Sequence, residues 1–87
     1  ALGVMEFFSV TAAIYAADSA AKAADVKLVE IRTGYGIGGK SYVTMTGSVS
    51  AVNAAVSAGI NNDNSMGNVV YGTVIPNPDP SLMETLY

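Results

Sequence analysis

The sequence predicts an α+β fold of the split βαβ type, in which β-α-β-β-α-β elements build an antiparallel sheet with two helices on one face. Three observations predict it. Short runs of β-branched and aromatic residues alternate with two longer alanine- and valine-rich runs at helical spacing. The glycine-rich stretch "GYGIGGKS", residues 34–41, lies between two strand patterns and so joins them as a hairpin. No linker long enough for a second domain and no internal repeat interrupts the 87 residues.

"ALGVMEFF" reads as the first strand, with Leu2, Val4 and Phe8 among its apolar positions and Glu6 the exception. The next run, "SVTAAIYAADSAAKAAD", is a helix: alanine is the best helix former, and Ser9 stands where an N-cap is needed. Asp18 precedes Lys22 by four residues, the spacing of a helix ion pair. So many alanines let this helix lie close against a sheet or a neighbouring subunit. "VKLVEIRT" alternates Val26, Leu28 and Ile31 with Lys27, Glu30 and Arg32; Val29 puts one slip in the period. "SYVTMTG" is a strand by composition. In "GSVSAVNAAVSAG", Ser48 is the N-cap, Val49, Val52 and Val56 form the apolar stripe, and Gly59 closes the helix. "NNDNSMGN" is a polar turn, "VVYGTVI" the last strand, and "PNPDP" stops it. A short helical turn is expected from Ser81 to Tyr87.

The hairpin stretch matches G-x-x-x-x-G-K-S letter for letter, with Lys40 and Ser41 in the places of the phosphate-binding lysine and the magnesium-binding serine. That chemistry needs a strand entering the loop and a helix leaving it, so that the helix dipole and free N–H groups face the phosphate. Here a strand leaves, and no separate apolar strand ending in Asp completes a magnesium site. The stretch is a look-alike, and its glycines suit a hairpin tip.

Composition narrows the function classes. Only 13% of residues are charged, against roughly 25% in an ordinary soluble domain, while 51% are apolar. A small monomer would be thinly coated by so few charges, which predicts oligomerisation. A net charge of −3, with Lys22, Lys27, Arg32 and Lys40 the only bases, argues against nucleic acid as a partner. The longest uncharged run, from Ser41 to Asn62, is dotted with Ser, Thr, Asn and Gly, which argues against a membrane helix. Glu6 interrupts the apolar start, so no signal peptide is read there; the lack of an initiator Met and a start almost inside the first strand point to a fragment, processing or trimming. With no Cys and no His, the chain has no thiolate metal site and no Ser-His or Cys-His nucleophile pair of its own. No catalytic residue, metal or cofactor is expected.

The chain resembles the bacterial microcompartment shell domain along most of its length. "LGVMEF" corresponds to that family's opening strand, "AAIYAADSAAKAADVKLV" to its helix and second strand, "GSVSAVNAAVSAG" to its second helix, and "VIPNP" to its "VIPRP"-like ending. The hairpin is about two residues longer than in single-domain members, and "GYGIGGKSY" looks most like the second half of tandem-domain shell proteins of propanediol-utilisation compartments. The resemblance implies a single BMC shell domain over 1–87 and a structural, non-enzymatic role in a microcompartment shell in the bacterial cytoplasm. It also implies six domains in a flat disc: a homohexamer, or a pseudohexameric trimer if the chain is one half of a tandem protein. Other shell proteins, and enclosed enzymes as further candidates, are the implied partners.

Residue by residue, the resemblance places Ile37, Gly38 and Gly39 on the pore segment, with Gly38 at the constriction. Tyr35, Gly36 and Lys40 become the loop stem, although Lys40 could also be a pore-mouth charge; as a stem residue it would pair with Glu30. Lys22 corresponds to the lysine at the disc edge that contacts the next disc; from the residues alone it could equally be a solvated partner of Asp18. Asp25 occupies a nearby edge position. Asn77 stands where "VIPRP" has arginine, which puts side-by-side tiling in doubt. Glu6 is expected as a hydrogen-bonded structural carboxylate, and Tyr15 as an interface or core residue. Two rival functions remain open. One is a small βαββαβ regulatory module binding a metabolite between subunits. The other is an electron-transfer shell subunit, for which some tandem relatives hold an iron–sulfur cluster; its thiolates would have to come from another half or chain.

Overall fold

The computed structural model describes residues 1–33, 40–64 and 67–82. Six elements follow in the expected order: β1 (Leu2–Phe7), α1 (Val10–Ala23), β2 (Lys27–Thr33), β3 (Ser41–Thr46), α2 (Val49–Ile60) and β4 (Val69–Ile75). The strands form one antiparallel sheet in the order β2-β3-β1-β4. Both helices cover the same face, α1 over β2, β3 and β1, and α2 over β1 and β4. The Cα trace measures 30 × 28 × 15 Å, a slab two layers thick.

Alternation along the sheet sets the core. Gly3, Met5 and Phe7 of β1 pair with Met45, Val43 and Ser41 of β3, and this row faces the helices. Of the apolar positions read in this strand, Leu2 is buried, Val4 is half-buried on the face away from the helices, and Phe8 is exposed. Phe8 lies beyond the ladder because the chain is already turning into α1; its N–H donates to the Asn68 carbonyl at 2.7 Å. Ser9 caps α1 as expected, its Oγ accepting from Ala12 N at 3.0 Å. Five alanines of α1 (12, 13, 16, 17 and 20) are all buried inside the domain, so they are core residues and not the surface that calls for a partner.

Two glycines permit the close layering. A Cβ on Gly3 would lie 2.7 Å from Val52 Cγ1 and 2.9 Å from Val56 Cγ2, so bare backbone forms the seat for α2. Gly59 was expected to end α2, but the helix runs on to Ile60, and Asn61 is its C-cap. Gly59 is instead the place where Met5 of the sheet and the Ala16 carbonyl of α1 approach α2; a Cβ there would meet Met5 Sδ at 2.5 Å. The buried stripe of α2 is accordingly Val52, Ala55, Val56 and Gly59, while Val49, in the first turn past the sheet end, is exposed.

The slip read in β2 is a bulge: Leu28 pairs with Met45 and Glu30 with Thr44, leaving Val29 as the extra residue. A second irregularity lies in β4, where Glu6 pairs with Tyr71 but Phe7 with Val69. After β4 a helical turn begins at residues 80–82, capped by Asp79; its continuation to Tyr87 lies outside the described residues. Asp79 Oδ1 accepts from Ser81 N at 2.9 Å and from Ser81 Oγ at 2.7 Å, and proline suits the first helical position that follows.

Candidate functional site

The antiparallel ladder sorts the candidate residues between two ends of the sheet. At one end β2 finishes and β3 starts, paired through Thr33 and Ser41, the rung next to the glycine hairpin. Tyr35, Gly36, Ile37, Gly38 and Gly39 lie outside the described residues. What the structure shows is the frame: a strand enters the hairpin and the strand Ser41–Thr46 leaves it. No helix N-terminus follows Lys40-Ser41, so the phosphate-loop pattern lacks the dipole and the free N–H groups its chemistry needs.

Lys40 is half-buried at the mouth of β3. It does not pair with Glu30, contrary to expectation. Glu30 faces Thr44 in the ladder, four residues from Lys40, or about 13 Å at 3.3 Å per residue. The Glu30 carboxylate is engaged closer by. Tyr42 donates its phenol hydrogen to Glu30 Oε1 at 2.9 Å, and Arg32 Nε pairs with the same oxygen. Arg32 and Tyr42 are ladder partners, so the three groups meet on the sheet face away from the helices. Accepting the phenol's hydrogen bond, the carboxylate holds Tyr42 above the ordinary phenol range; partial desolvation and the Glu30 charge add to this, and Arg32 opposes it. Glu6 shares that face, half-buried between its ladder partners Tyr42 and Tyr71. No hydrogen bond holds its carboxylate among the described residues, so the structural role expected for it is not seen.

At the other end lie the starts of β1 and β2 and the ends of β3 and β4. This end carries Asp25, just before β2, and Asn77, just after β4, both exposed. Lys22 is in the last turn of α1. It extends into solvent and pairs with Asp18 at 2.8 Å, so the i, i+4 contact read from the sequence is formed. Asp25 and Asn77 are not neighbours: β2 and β4 are opposite edges of the sheet, about 14 Å apart over three strand spacings. The six rungs of the β1–β3 ladder put about 17 Å between this end and the hairpin end.

Sequence reasoning placed Tyr15 at an interface or in the core but missed the exposed apolar residues around the start of α1. Phe8, Val10, Ile14 and Tyr15 are exposed, with Phe8 at 55%, Ile14 at 54% and Tyr15 at 45%. A signal was present. The alanines at 12, 13, 16, 17 and 20 form one helical face, which leaves Val10 and Ile14 along one of its borders and Tyr15 beyond the other. Val10 and Ile14, four residues apart, are neighbours on the helix surface, with Phe8 just before the helix; exposed large apolar side chains gathered in this way mark an interaction surface. Among the described residues no cluster of three or more metal-ligating side chains occurs, and no helix is long and apolar enough to cross a membrane.

Residues 1–78 match the family described as the BMC domain. The chain is similar to the bacterial microcompartment shell protein PduT of Citrobacter freundii, with 45% identity over 94% of this chain and 45% of that protein. It is 41% identical to the bacterial microcompartment shell protein PduA of Salmonella typhimurium, over 99% of this chain and 89% of that protein. Among solved structures, it is similar to a microcompartments protein from Desulfitobacterium hafniense DCB: TM-score 0.87, 49% identity, covering 95% of this chain and 46% of the other. The chain thus spans about half the length of PduT and of that solved protein.

Proposed function

This chain belongs to the BMC domain family, and from that premise we propose how it serves as a structural, non-enzymatic component of a bacterial microcompartment shell in the bacterial cytoplasm. Six copies of the domain form a flat disc. The hairpin faces the centre, where Ile37, Gly38 and Gly39 line a pore for small metabolites and Tyr35, Gly36 and Lys40 form its stem. Lys22, Asp25 and Asn77 lie on the rim, where discs meet one another and other shell proteins. The slab shape supports this reading, and so does the separation of hairpin and rim residues at opposite ends of the sheet.

The single observation that carries the assembly is the set of large apolar side chains exposed at and around the first turns of α1. Phe8, Val10, Ile14 and Tyr15, on a chain with 13% charged residues, make a surface that a second copy would cover, as obligate interfaces do. The disc is a homohexamer if the chain stands alone, and a pseudohexameric trimer if it is half of a tandem protein. The higher identity to PduT than to PduA is what supports the tandem reading.

The test is light scattering with electron microscopy of the purified domain. Discs of six domains are expected, and Ile14→Glu should shift the mass towards the monomer while the fold, read by circular dichroism, stays intact. A wild-type chain that stays monomeric at micromolar concentration overturns the proposal.

A further inference from the structure

We draw no further inference here: the strongest candidate, the uncharged free edge of β4 with Tyr71 and Ile75 exposed on the sheet face away from the helices, is an unpartnered apolar face, and nothing in the structure shows what covers it.

Discussion

Two buried hydroxyls and one phenol set the residue-scale expectations. Ser41 Oγ and Thr44 Oγ1 are buried without a hydrogen-bond partner among the described residues, and an unsatisfied buried hydroxyl costs about 1–3 kcal/mol. Thr44→Val keeps the shape and removes the orphaned group. It should raise stability by about 1 kcal/mol, read as a higher urea midpoint at unchanged slope; a lower midpoint would mean the hydroxyl has a partner. Tyr42 gives a pH expectation. Its folded-state value lies above the ordinary 10.0, so its contribution to stability is complete below that value and fades as pH rises through the raised one. Glu30→Gln removes the charge and weakens the acceptor that holds the phenol up. The Tyr42 titration, followed by ring NMR shifts, should then move down towards the ordinary value. Asp79 behaves in the opposite sense. The hydrogen bonds from Ser81 lower its carboxyl, so its contribution is present above the ordinary value and lost as pH falls through the lowered one.

At the scale of elements, the helices and sheet approach one another through small residues rather than interlocking large ones. The alanine face of α1 and Gly59 of α2 meet where Met5 rises from β1. Gly3 of β1 has no room for a side chain: an added methyl would enter the Val52 and Val56 side chains of α2. Overpacking of this kind costs about 1–3 kcal/mol, so Gly3→Ala should lower the thermal midpoint clearly. Gly59→Ala should cost less. The tip of Met5 can move aside, and replacing a helical glycine by alanine returns up to about 1 kcal/mol. Calorimetry on the two variants checks the order; Gly59→Ala as the more damaging change would mean α1 and α2 cannot separate by even a few tenths of an ångström.

At the scale of the whole molecule, the antiparallel ladder gives the domain two chemically different ends. One end holds the hairpin and Lys40, the other Asp25, Asn77 and, in the last turn of α1, Lys22. If the second end is the rim of a disc, Lys22→Ala should leave discs intact and abolish or weaken their assembly into sheets. Lys22 contributes nothing to the core, and its exposed pair with Asp18 is worth only a few tenths of a kcal/mol. Electron microscopy distinguishes the outcomes: loss of the discs themselves would place Lys22 inside the interface between domains, and unchanged sheets would leave it a solvated helix residue.

The order of elements, the two serine caps, the slip at Val29 and the Asp18–Lys22 pair were all legible in the sequence, because each depends on residues within a few positions of one another. The failure of the phosphate-loop pattern was legible for the same reason: a strand signature follows Lys40 directly. Phase and partnership were not. Whether Val4 or Met5 faces the helices depends on which neighbouring strands and helices pack there. The partners of Glu30 follow from a β2–β3 register that includes a bulge. Gly59 read as a helix stop because its local chemistry is that of a stop; three elements converging on it make it a contact point instead. The alanines of α1 were the plainest feature of the sequence, yet their place in the core emerges only when α2 and the sheet are laid against them, and that packing turns Ile14 and Tyr15 outward. Local propensity needs only neighbours along the chain. Burial is a property of contacts between distant segments, and no single segment carries it.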